Sequence, residues 1–256
     1  RRYAEKIIRT LMAHVQHHPA IIGWQLDNET KHYDNIGRYM QEGFVRSLQE
    51  KYPDLRQLNH DFGLDYWSNR IDRWQDFPPV ENTINASLAC AFSRYQRQQV
   101  TEYLAWQAAI VREYAQPHQF VTHNFDFEWR GYSYGVQPRV DHFAAAQALD
   151  IAGVDIYHPS QAHLTGREIA FGGAITRSLK PGQNYFVLET QAQGFAQWTP
   201  FPGQLRLQAF SHIASGAAMV SYWHWHSIHN AFETYWKGLL SHDFSRNPTW
   251  QEATTI

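Results

Sequence analysis

One cysteine, Cys90, stands among the 256 residues, so no internal disulfide can form and a four-thiolate metal site is excluded. No apolar run approaches the roughly 20 residues that span a bilayer, which argues against a membrane role. Charge is sparse: Asp, Glu, Lys and Arg make up 18% of the chain and the net charge is -2. That balance provides no electrostatic case for nucleic acid or an anionic membrane surface as a partner. Internal repeats and low-complexity tracts are absent, as are a His-Glu-x-x-His helix and a Gly-x-Ser-x-Gly elbow. His224, His226 and His229, with Ser221 and Ser227 nearby, therefore read as a polar pocket rim rather than a metal cluster or a serine-hydrolase centre. The opening Arg1-Arg2-Tyr3-Ala4-Glu5-Lys6 mixes charges and runs into a helical pattern rather than the apolar core of a signal peptide. It carries no initiator Met, and the expectation is a chain that starts inside a longer, cytoplasmic protein.

What is present suits one sizeable globular domain, with 43% hydrophobic residues. Aromatics reach 15%, and some stand among polar neighbours, as in Phe125-Asp126-Phe127-Glu128-Trp129-Arg130. Sugar-binding clefts use such rings, although ordinary packing accounts for most of them. Ile7, Ile8, Leu11, Met12 and Val15 recur at helical spacing, and further helices are predicted over 36–52, 88–114, 165–179 and through Leu205 to Ile213. Cys90 falls on the second of these as an ordinary small apolar residue. Residues 53–83 read as a long loop, with Gly63, Pro78 and Pro79, and long ordered loops tend to be functional. Apolar runs at 21–26, 119–125, 150–157, 185–189 and 218–223 predict strands. Strand alternating with crossover helix predicts an α/β fold with a parallel sheet.

Two of these runs end in an acid: Ile21-Ile22-Gly23-Trp24-Gln25-Leu26-Asp27-Asn28-Glu29 and Tyr185-Phe186-Val187-Leu188-Glu189-Thr190-Gln191. In a barrel of parallel strands the C-terminal strand ends face the mouth where chemistry is done. One Asn-Glu pair alone is as well read as a helix cap. Two strand-end glutamates match the carboxylate pair of glycoside hydrolysis, in which one group protonates the leaving oxygen and the other attacks the sugar or activates water. Neither has a His or Cys triplet at ligand spacing around it, so no metal is expected.

Taken in order, IIGWQLDNE at 21–29, Leu58-Asn59, Gly63 to Trp67, VLETQ at 187–191, Trp198, the Gly216-Ala217 to Trp225 region and Phe232-Glu233-Thr234-Tyr235-Trp236-Lys237-Gly238 resemble the catalytic barrel of the β-galactosidases of glycoside hydrolase family 42. The likeness spans nearly the whole chain. It implies a (β/α)8 TIM barrel, here covering about strands four to eight, with residues 1–256 as the C-terminal five-eighths of the catalytic domain. It also implies a retaining glycosidase acting on terminal β-galactosides without a cofactor, with Glu29 as acid/base and Glu189 as nucleophile. Asn28 is implied as the contact to the sugar 2-hydroxyl, Trp198 and Glu233 as pocket lining, and Trp67, Tyr157 and Trp236 as further substrate contacts; a homotrimer is implied for the assembly. Trp236 stands where many relatives carry histidine, Thr30-Lys31-His32-Tyr33-Asp34 offers no thiol for the structural zinc that many relatives hold, and a sugar-binding Arg near strand three has no counterpart. The alternatives are another retaining barrel glycosidase, such as a β-mannanase or β-glucosidase, and a non-catalytic carbohydrate-binding remnant. A barrel lacking three strands would leave two open edges, exposing Ile22 and Trp24 on one side and Val220 and Tyr222 on the other.

Overall fold

A computed structural model of the chain describes residues 1–128, 135–194 and 199–256. In chain order these form α1 (Arg2–Val15), β1 (Gly23–Gln25), α2 (Arg38–Lys51), α3 (Leu55–Phe62), α4 (Ala86–Arg112), β2 (Phe120–Thr122), β3 (Asn124–Phe125), α5 (His142–Ala146), β4 (Gly153–Asp155), α6 (Arg167–Leu179), β5 (Tyr185–Gln191), α7 (Gln204–Ala214), β6 (Ala217–Trp223) and α8 (Pro248–Ala253). All strand pairs are parallel: β1 with β2, β3 with β4, β4 with β5 and β5 with β6. β2 and β3 are one strand position interrupted at His123, so five positions lie side by side in chain order, the order that part of a (β/α)8 barrel requires.

The described residues pack as two compact units, one of Arg1–Thr30, Leu104–Pro138 and His142–Ile256, the other of Lys31–Tyr103 and Arg139–Asp141. In the first, the strands are apolar because parallel strands are covered on both faces. Val121, Phe125, Val154, Ile156 and Val187 are all buried there, as are Ile169 of α6 and Leu205 of α7. Two glycines let α6 come close. A Cβ on Gly172 would lie 2.8 Å from Ile156 Cδ1, and one on Gly173 2.5 Å from the Tyr185 hydroxyl.

The edges depart in part from expectation. Among the described residues β1 and β6 each pair on one side only, and Ile22 is 65% exposed. Trp24 is half-buried and donates from Nε1 to Gln119 Oε1 at 2.9 Å. Val220 and Tyr222 are also half-buried. Burial, with Glu252 of α8 nearby, pushes the Tyr222 hydroxyl up to about 12. The apolar stripe of α1 is open instead, with Tyr3, Ile7 and Leu11 exposed and Met12 buried.

In the second unit the stretch read as loop, 53–83, contains α3. Asp54 caps it by accepting from the Arg56 N–H, and Gly63 closes it in the left-handed region at φ 60°. Phe44 and Leu48 of α2, Leu58, Leu64, Ile71 and Val80, and Leu88 and Phe92 of α4 make its own core. Asn59 is buried within it, donating to the carbonyls of Leu55 and Ile71 and accepting from the Ile71 N–H. Cys90 of α4 is exposed.

Candidate active site

β1 ends at Gln25, although the Leu26 N–H still donates to Thr122 O at 2.8 Å. The chain then turns sharply, with Asp27 at φ 48° and Glu29 at φ 42°, a conformation that costs a non-glycine residue on the order of 1 kcal/mol or more. Side chains hold the turn. Asp27 Oδ1 accepts from the Asn28 N–H at 2.9 Å, Asn124 Oδ1 from the Glu29 N–H at 3.2 Å, and His123 Nε2 from the Thr30 N–H at 3.2 Å. His123 Nδ1 lies 2.5 Å from Leu26 O, so Nδ1 carries the ring proton and Nε2 is free to accept. Glu29 is thus delivered half-buried at the end of its strand by residues of β1 and of the next strand position.

Glu189 is positioned differently. Between Val187 and Thr190, β5 holds one more residue than β6 opposite it, and the same extra residue appears against β4 between Val154 and Asp155. A bulge of this kind re-aims the side chains beside it. Glu189 Oε2 accepts from the Tyr157 hydroxyl at 2.8 Å, and Oε1 from Asn124 Nδ2 at 3.4 Å. Burial raises its pKa; the two donors pull the other way, and Glu233 adds to the rise. The two hydrogen bonds therefore favour the ionised carboxylate against the burial that opposes it.

Glu233 and Trp236 reach the same place through the segment after β6, which begins at a cis peptide between Trp223 and His224. Trp223 Nε1 donates to Glu233 Oε2 at 3.1 Å, and Trp236 Nε1 to Trp223 O at 3.1 Å. The Trp236 ring meets Tyr157 edge-on, centroids 5.2 Å apart. Asn28 is exposed, with its Oδ1 accepting from Asn124 Nδ2 at 2.8 Å. The structure thus links Glu29, Asn28, Glu189, Tyr157, Glu233 and Trp236 by direct or one-step contacts. Trp67 lies in the helical unit, 74% exposed beside Tyr66, and Trp198 falls outside the described residues.

Two residues of this network were not singled out in the sequence, Asn124 and Asp155, both buried. Each carried a signal, as a polar side chain at the end of an apolar strand. His224 and His226 direct Nδ1 at the carbonyls of His226 and Ser227, and Ser227 Oγ donates to Leu240 O while accepting from the Gly238 N–H. These contacts shape the loop. Among the described residues no group of three or more His, Cys, Asp or Glu is placed to hold a metal.

Two glutamates thus stand at the ends of parallel strands, one following β1 and one on β5, with the Asn124 amide between them, and glycoside hydrolysis uses a carboxylate pair. The chain belongs to glycoside hydrolase family 42, whose model, described as beta-galactosidase, matches residues 1–256. Similar relatives include the beta-galactosidase BgaH of Haloferax lucentense, 29% identical over all of this chain and 40% of its own length. A beta-galactosidase of Thermus thermophilus is 29% identical over all of this chain and 42% of its own length. A catalytic mutant of a beta-galactosidase of the same family from G. stearothermophilus superposes with a TM-score of 0.89 at 23% identity, over 100% of this chain and 39% of that one. The chain therefore spans about two-fifths of the length of these relatives. No helix among the described residues is long and apolar enough to cross a membrane.

Proposed function

We propose that this chain carries the catalytic carboxylates of a retaining β-galactosidase. The observation that supports it most is the shared hold on both glutamates: Tyr157 and Asn124 donate to the Glu189 carboxylate while Asn124 also fixes the Glu29 backbone. The names of the relatives, all beta-galactosidases, support the sugar. Glu189 attacks the anomeric carbon as Glu29 gives its proton to the departing glycosidic oxygen, leaving a glycosyl-enzyme ester and a free aglycone. Esterification removes the Glu189 charge. Glu29, now ionised, takes a proton from water as the water oxygen attacks the same carbon and releases Glu189.

Around that step, the Asn28 oxygen is occupied by Asn124, which leaves its amide N–H groups to donate to the sugar 2-hydroxyl. Glu233, oriented by Trp223, accepts from sugar hydroxyls, and Trp236 offers a ring face with Tyr157. Trp198 belongs to this set by family resemblance. Residues 1–256 read as strands four to eight of the catalytic domain, with the helical unit between β1 and β2. The net charge of -2 favours a neutral glycoside over nucleic acid as partner, and family resemblance is the support for a cytoplasmic homotrimer.

The test is made on the full-length protein. Glu189→Ala abolishes turnover of every β-galactoside, because no covalent intermediate can form. Glu29→Ala keeps its attack on substrates with good leaving groups, and added azide yields the β-configured galactosyl azide. Rescue of Glu189→Ala by azide with retention, and none of Glu29→Ala, would reverse the two roles.

A further inference from the structure

We propose that Asn124, anchored by Asp155, is the positioning residue that keeps the two glutamates in register with one another. This inference rests on the two-glutamate reading and deepens it. Asn124 is wholly buried at the start of β3. Its Nδ2 faces three acceptors: Asp155 Oδ2 at 2.6 Å, Asn28 Oδ1 at 2.8 Å and Glu189 Oε1 at 3.4 Å. Its Oδ1 accepts from Gln25 Nε2 at 3.0 Å and from the Glu29 N–H at 3.2 Å. Two hydrogens and two lone pairs are all that a carboxamide has, so the group is saturated. Its orientation is dictated as well: turned over, it would set its oxygen against the Asn28 amide oxygen and the Glu189 carboxylate, and its N–H groups against the Glu29 N–H.

Asp155 makes this arrangement stiff. It is 2% exposed, and its Oδ2 makes the shortest of the Asn124 bonds. Glu189 on β5, Glu29 after β1 and Asp126 after β3 all face it. Burial first, and then those carboxylates, push its pKa up to about 9. Asp155 is accordingly a neutral acid at pH 7, an anchor that adds no third negative charge between the glutamates. Asn124 then reads out both sides: a shift of its amide moves the Glu29 turn and releases Glu189 together.

The experiment is a double-mutant cycle in the full-length protein, with kcat taken per active site titrated by a slow-turnover 2-fluoro-galactoside. Asn124→Ala is expected to lower kcat about 10²-fold, the cost of misplaced reacting groups, with KM changed far less. Asp155→Ala is expected to fall comparably, and the pair together to be no worse than Asn124→Ala alone, since Asp155 acts through Asn124. Asp155→Asn, a neutral isostere that keeps an acceptor for Asn124, is expected to rescue most of the loss seen with Asp155→Ala. It should also remove an infrared band of a protonated carboxyl group present in the wild type at pH 7, a readout that needs no turnover. Wild-type kcat per titrated site in Asn124→Ala, additive losses in the pair, or Asp155→Asn as impaired as Asp155→Ala would each overturn the inference alone. A wild type inert toward all β-galactosides would overturn the functional reading beneath it.

Discussion

Tyr157→Phe isolates one hydrogen bond. The substitution keeps the ring that packs edge-on against Trp236 and deletes only the hydroxyl that donates to Glu189 Oε2 at 2.8 Å. A hydrogen bond to a charged group is worth about 1.5–3 kcal/mol. It stabilises the ionised nucleophile more than the protonated one, and about 1.4 kcal/mol corresponds to one pKa unit. Loss of the bond should therefore raise the Glu189 pKa by about one to two units, on top of the rise that burial already imposes. The sign follows directly: the variant needs a higher pH before Glu189 ionises. The acid limb of kcat/KM should move to higher pH by that amount, while the alkaline limb, assigned to Glu29 in the proposed acid/base role, stays in place. The assay is the pH–rate profile of both proteins on a chromogenic β-galactoside, with substrate well below KM. An acid limb in the same place for Tyr157→Phe and wild type would refute the assignment of the hydroxyl to the nucleophile's charge.

Two further outcomes concern stability. A Cβ on Gly153 would lie 2.4 Å from Leu188 Cδ1 and 2.7 Å from the His123 carbonyl, a backbone atom that cannot step aside, so Gly153→Ala should cost about 1–3 kcal/mol in urea unfolding. A midpoint equal to wild type would mean that β3 and β4 are not packed this closely. His212 is fully buried, with neither ring nitrogen partnered among the described residues, and burial, then His158, holds its pKa down at about 3. Between about pH 6.5 and 3 the unfolded chain takes up a proton that the folded one refuses, so stability falls as pH drops through that window, by about 1.4 kcal/mol per unit. His212→Gln should flatten that slope between pH 6.5 and 5, and parallel slopes in the two proteins would count against the buried neutral imidazole.

Much of this protein is written locally in its chain. Helical spacing in Ile7 to Val15, the apolar runs and the two strand-end glutamates are short-range patterns, because a strand or a helix declares its period over a few residues. α3 was legible in the same way, through Asp54 at its start and Gly63 at its end, but it was hidden among the prolines and aromatics that follow. The exposure of Cys90 and of the α1 stripe was not legible, since periodicity identifies an apolar face without saying what, if anything, covers it. The site divides along the same line. Glu29 and Glu189 could be picked out as acids ending strands, whereas the bulge before Thr190, the Tyr157 bond to Glu189 and the amide of Asn124 between residues 28, 29, 155 and 189 join positions up to 161 apart in sequence. Hydrogen-bond direction and the protonation of Asp155 depend on which groups come within about 3 Å and on how much water they lose, and only the closed packing of the strands decides that.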